Sequence, residues 1–141
     1  MDKQKHYVVD TNVLLEDPKA LFELRNGNEN TVYIPYHVLL ELNKFKKDPR
    51  LGHIATQVID HLSKFPDQFT LLKTQSIAES FSNQVDNYIL AEVRESGLDK
   101  PILVTNDRVL RLQAGIFGIQ SEGYKDSGPS KSEAEYYTGF I

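Results

Sequence analysis

Ile102-Leu103-Val104-Thr105-Asn106-Asp107-Arg108-Val109-Leu110 is the stretch that decides the fold. Its first four residues are apolar or β-branched, the composition of a buried strand. Two turn-forming residues follow, and then a short helical pattern from Asp107 to Ala114, with Gly115 read as its stop. A strand that runs through an acidic turn into a helix is one unit of a parallel sheet. The same arrangement stands near the N-terminus, where the β-rich run Tyr7-Val8-Val9 ends at Asp10.

Between these two units the pattern repeats. Thr31 to Ile34 reads as a strand stopped by Pro35, Phe69 to Leu72 as another, and Ile119 as the opening of a last short one. Asp17-Pro18 and Asp48-Pro49 read as helix starts, an N-cap followed by proline, for helices over Lys19 to Leu24 and Arg50 to Phe65. Val38, Leu42 and Phe45 make an apolar stripe on a helix from Tyr36 to Lys46; Ile54, Val58 and Leu62 do so on the next. Val85, Ile89 and Val93 share one face of a helix from Gln84 to Ser96 that Gly97 stops. Asn26-Gly27-Asn28 is a turn. Alternating strands and helices predict an α/β fold with a central parallel sheet and helices on both faces.

The chain has 141 residues, no cysteine and a net charge of −4. That length suits one domain. The absence of cysteine excludes disulfides, thiolate metal sites and a cysteine nucleophile. No apolar run is long enough for a membrane span and the start is too polar for a secretory signal, so a cytoplasmic protein is expected. An acidic chain does not grip nucleic acid by net charge alone. Residues 1–124 read as one domain. The Gly-, Ser- and Lys-bearing stretch 125–141 reads as a linker or tail, with Tyr136, Tyr137 and Phe140 able to dock it locally.

Asp10 and Asp107 follow strands, and ligands of open parallel sheets bind beyond the carboxyl ends of strands where strand order reverses. Glu41 borders the Val38–Phe45 stripe and Asp86 lies in the first turn of its helix, positions where a carboxylate is costly unless paired or metal-bound. Four carboxylates in one crevice repel one another unless a divalent cation holds them. Mg²⁺ and Mn²⁺ take oxygen ligands and suit metal-assisted phosphodiester hydrolysis.

The strings VDTNVLLEDPKAL (9–21), IPYHVLLELNKFK (34–46) and ILVTNDRVLRLQAGIFGIQSEGY (102–124), with Asp86-Asn87-Tyr88-Ile89-Leu90, resemble the acidic motifs of PIN domains, most closely the N-terminal PIN domain of PhoH-like proteins. The resemblance implies a three-layer, Rossmann-like PIN fold and a divalent-metal ribonuclease acting on single-stranded RNA. By motif match Asp10, Glu41, Asp86 and Asp107 take the catalytic, metal-ligand positions for Mg²⁺ or Mn²⁺, with Thr11, Asn12 and Thr105 supporting the site. PhoH-like proteins carry a P-loop ATPase after this domain. No G-x-x-x-x-G-K-[ST] occurs here, so an N-terminal fragment of a longer protein is expected. The alternative reading is a non-catalytic PIN scaffold for RNA binding or for oligomer assembly of a PhoH-like ATPase. A homo-oligomer and an antitoxin-like protein are the expected partners besides RNA.

Other signals are weaker. Lys44, Lys46, Lys47, Arg108 and Arg111 are candidate RNA phosphate contacts, with a solvated face as the plain alternative. Tyr36 and Tyr88 are candidates for base stacking. His37 is four residues before Glu41, but the second histidine of an H-E-x-x-H site is missing, and His53 and His61 are too far apart for one ion. A phosphatase using Asp10 as nucleophile needs an acid two residues on, where Asn12 stands.

Overall fold

The computed structural model describes residues 4–72 and 85–124. Five strands form one wholly parallel sheet: β1 (His6–Val9), β2 (Thr31–Pro35), β3 (Thr70–Leu72), β4 (Pro101–Val104) and β5 (Gln120–Glu122), in the order β3-β2-β1-β4-β5. Six α-helices are described: α1 (Thr11–Glu16), α2 (Ala20–Arg25), α3 (Tyr36–Phe45), α4 (Gly52–Lys64), α5 (Val85–Glu95) and α6 (Arg108–Ile116). In register, Tyr7 stands beside Val32 and Ile102, and Val8 beside Tyr33 and Leu103.

The period-two alternation of the central strands builds both cores. Tyr7, Val9, Val32, Ile34, Ile102 and Val104 pack with Val13 and Leu14 of α1, Leu21 of α2, Val38 and Leu42 of α3, and Val58 and Leu62 of α4. Val8 and Leu103 point the other way, onto Ile89, Leu90 and Val93 of α5 and Leu110 and Ala114 of α6. Crossovers in parallel sheets are right-handed, so a change in the direction of strand addition transfers the helices to the opposite face. β1 to β2 to β3 adds strands in one direction, and β4 to β5 adds them in the other. The result is three layers, as expected, with the reversal point between β1 and β4.

Several element boundaries differ from the sequence reading. Thr11 to Glu16, which carries no clear periodic signal, is a helix. It is too short to show a stripe, and its β-branched Thr11 and Val13 disguise it; burial of Val13 and Leu14 and a cap from Asp10 hold it. Asp17 and Asp48 close turns before their helices instead of capping them. Asp17 Oδ1 accepts from Lys19 N at 3.0 Å, and α2 starts at Ala20. Asp48 Oδ1 accepts from Arg50 N at 2.7 Å and Leu51 N at 3.0 Å, and α4 starts at Gly52. A Cβ on Gly52 would lie 2.5 Å from Lys46 O, so this tight turn requires glycine.

Gly115 is not a stop: α6 runs through it to Ile116. The stop is Gly118, at φ +75°, with Ile119 N bonded to Ala114 O at 2.8 Å and Gly118 N to Gly115 O at 3.1 Å. These are the two bonds of a Schellman motif, and buried Ile119 completes it by sharing a core with Ala114. β5 therefore begins one residue later than expected, at Gln120. The readings of Gln84, of the side chains of Asp86 and Tyr88, and of the 125–141 tail lie outside the described residues.

Candidate active site

The reversal point brings Asp10 and Thr105 together from positions 95 residues apart. Asp10 follows β1 and is 5% exposed; Thr105 follows β4 and is fully buried. Backbone pairing runs past the strand ends, with Asp10 N donating to Val104 O at 3.0 Å and Thr105 N to Glu122 O at 3.0 Å. Asp10 Oδ1 accepts from Thr11 N at 2.7 Å, and its Oδ2 accepts from the Thr105 hydroxyl at 2.8 Å. The carboxylate is thus oriented at both oxygens while it caps α1.

Two further acids connect to this centre through the same pair of threonines. The Thr11 hydroxyl donates to Glu41 Oε1, tying the start of α1 to α3. Thr105 Oγ1 accepts from Asp107 N at 3.1 Å. Asp107 caps α6, its Oδ1 accepting from Val109 N at 2.9 Å and Leu110 N at 3.2 Å, while Oδ2 has no hydrogen bond among the described residues. Capping and a site role are therefore compatible for both aspartates. Asp86 lies on α5, and its side chain is outside the described residues.

Among the described residues no three acids or histidines converge closely enough to hold a metal ion. The donors that do assemble are carboxylate and hydroxyl oxygens, the hard set that Mg²⁺ and Mn²⁺ take. In the chemistry of its donors the site suits such an ion.

The basic side chains divide. Lys44, Lys46, Lys47 and Arg108 are exposed. Arg111 instead turns inward, its guanidinium donating to Thr105 O at 3.2 Å. Of the histidines, His37 is nearest the acids, Nε2 lying 3.9 Å from Glu41 Oε2. His61 meets Phe22 edge-to-face and packs at a tilt against Phe65, and burial lowers its pKa. His6 meets the Tyr33 hydroxyl at 3.2 Å. Tyr36 is exposed beside the N-terminus of α3. Asn12 is exposed and lines a cleft described below.

One buried acid has no counterpart in the sequence reading. Glu92 of α5 is 3% exposed. Its Oε2 accepts from His37 N at 3.4 Å, across to the first turn of α3. Its Oε1 has no hydrogen bond among the described residues. Burial, only partly offset by the His37 amide, pushes its carboxyl up to about 7. The signal was available: Glu92 sits three residues after Ile89 and immediately before Val93, inside the apolar stripe.

The model of the PIN domain family matches residues 7–125. Protein PhoH2 of Bacillus subtilis is 29% identical over 168 aligned positions, covering 96% of this chain and 36% of that protein. Protein PhoH2 of Thermobispora bispora is 26% identical, covering 84% of this chain and 31% of that protein. The chain thus spans about a third of the length of these curated relatives. Among solved structures, a domain of a functionally unknown protein from Methanocaldococcus jannaschii superposes with a TM-score of 0.61 at 21% identity, covering 91% of this chain and 96% of that one. VapBC2 of Rickettsia felis, bound to a DNA fragment from its promoter, gives 0.59 at 16% identity, covering 84% of this chain and 98% of that one. Likeness at these identities establishes the fold. With the five-stranded parallel sheet and the acids at its reversal point, the family match identifies the chain as a member of the PIN domain family, whose members are generally nucleases that use divalent metal ions.

Proposed function

We propose that this chain is a divalent-metal-dependent ribonuclease domain that hydrolyses phosphodiester bonds of single-stranded RNA. One observation carries the reading: Thr11 and Thr105 gather Asp10, Glu41 and Asp107 from three elements around the reversal point of the sheet. A buried aspartate oriented at both oxygens costs more than a turn needs, whereas a hydrolytic site gains from carboxylates held in fixed positions. Asp86, by motif match, completes the acidic quartet. When bound, Mg²⁺ or Mn²⁺ supplies a water of lowered pKa and neutralises charge on the phosphate.

The chain's own residues have separable parts. Asp10, Glu41 and Asp107 would hold the ion; the Thr11 hydroxyl orients the Glu41 carboxylate and the Thr105 hydroxyl that of Asp10. Lys44, Lys46, Lys47 and Arg108 draw the RNA backbone to an otherwise acidic surface. Arg111 supports from within, holding the Thr105 carbonyl. Asn12 borders the acids from the exposed side of α1.

The deciding experiment is cleavage of single-stranded RNA with Mn²⁺, against EDTA and Asp10→Asn. Cleavage that requires the metal and is lost in the variant supports the proposal. Metal-dependent RNA binding without turnover would replace it with the non-catalytic scaffold. Self-association and an antitoxin-like partner belong to the same proposal, checked by light scattering of the purified chain and by co-purification.

A further inference from the structure

A cleft of about 430 Å³ opens directly beside Asp107, lined by Asn12, Leu15 and Glu16 of α1, Leu51 at the start of α4, and Asn106 and Asp107 after β4. Its size falls within the range of small-ligand sites. Its walls are of two kinds. Leu15 and Leu51 supply apolar surface, and Asn12, Glu16 and Asn106 supply hydrogen-bonding groups.

The polar wall is held in place. Asn106 Nδ2 donates to Glu16 Oε1 at 3.0 Å, and Asn106 Oδ1 accepts from Tyr124 N at 2.7 Å, which sets the amide's orientation. Glu16 Oε2 and the Asn12 amide have no partner among the described residues. The apolar wall is held too: the Asp48 turn grips Leu51 N, and Gly52 lets that turn close against Lys46 O. Exposed Arg50 lies next to Leu51 in sequence, and exposed Arg108 next to Asp107.

We propose that this cleft receives one nucleobase of the single-stranded RNA, and that Glu16 selects bases bearing an exocyclic amino group over uracil. The inference rests on the nuclease reading above and names the base-selective part of the same site. A base is a flat, apolar plate with a polar edge. Leu15 and Leu51 match the plate; Glu16 Oε2 and Asn12 match the edge. A carboxylate oxygen only accepts hydrogen bonds at neutral pH, so it pairs with the amino group of adenine, cytosine or guanine. Uracil presents carbonyl oxygens on either side of its single N–H, and these face the carboxylate unfavourably. Exposed Arg50 and Arg108, each next in sequence to a lining residue, are then the contacts for the phosphates on either side of the seated base.

The test uses the full 141-residue chain carrying Asp10→Asn, with Mg²⁺ present, so that binding is read without cleavage. Fluorescence anisotropy with short oligo(rA), oligo(rC) and oligo(rU) should show the first two binding about tenfold tighter than the third. Adding Glu16→Gln, which gives the position a donor as well as an acceptor, should bring the three within about twofold. Methyl NMR should show the signals of Leu15 and Leu51 shifting on titration with oligo(rA). Equal affinity for all three oligonucleotides, no binding at all, or binding that leaves Leu15 and Leu51 unmoved overturns the proposal. Metal-dependent cleavage by the unmodified chain together with any of those results leaves the nuclease standing and removes only the base site. Base-selective binding at Leu15 and Leu51 without any cleavage does the reverse.

Discussion

Replacing Glu92 with glutamine should stabilise the metal-free protein at alkaline pH and leave it nearly unchanged at acid pH. The carboxyl sits 3% exposed between α5 and α3, with a single backbone donor on Oε2 and none on Oε1 among the described residues. Burial pushes it from 4.5 up to about 7. The folded state therefore holds a proton that the unfolded chain has released between those two pH values. Stability linked to a raised pKa is fully present below the unfolded value and lost as pH rises through the folded one. At about 1.4 kcal/mol for each tenfold difference in proton affinity, the loss from pH 4 to pH 8 is about 3 kcal/mol. Glutamine keeps the shape and an acceptor for His37 N but never ionises. Urea denaturation of both proteins in EDTA at pH 4, 5, 6, 7 and 8 should give a stability difference that grows by about 3 kcal/mol towards alkaline pH. A difference that stays flat across this range would show that Glu92 is not a buried, proton-holding group, and the reasoning would fail.

Thr105→Val should destabilise the fold by about 1–3 kcal/mol, because the buried Asp10 Oδ2 loses its hydroxyl donor and Asp107 N its acceptor. Thr105→Ser should restore most of that in denaturation, and should restore Mn²⁺-dependent RNA cleavage with it. Gly115→Ala should raise stability by roughly 0.5–1 kcal/mol, since the position is helical and an added Cβ meets nothing within 4 Å. Gly118→Ala, at φ +75°, should cost about 1 kcal/mol or more, and thermal melts of the pair should move in opposite directions. Asp10→Asn should cancel the rise in melting temperature that saturating Mn²⁺ gives the parent protein; an undiminished rise would place the ion elsewhere.

Much of this architecture was legible in the sequence because strands and helices are written in local patterns. Runs such as Tyr7-Val8-Val9 and Ile102-Leu103-Val104 each declare a buried strand within a few residues. The acids that follow them mark the strand ends at which the proposed site lies. Where local signals were short or ambiguous, tertiary packing decided. Thr11–Glu16 is a helix because Asp10 caps it and the core receives Val13 and Leu14. Gly115 stays helical because Gly118, three residues later, completes the bond pattern that ends the helix.

Strand composition, the alternation of β and α, the acidic turns and the PIN motifs all followed from residues close together in the chain, where short-range geometry governs. Pairing Asp10 with Thr105 required the strand order β3-β2-β1-β4-β5, which no local pattern encodes. That same order buried Glu92 against α3 and brought Leu15 and Leu51 to one cleft. Each of these contacts joins residues far apart in sequence, and its free energy depends on which faces the folded layers bring together.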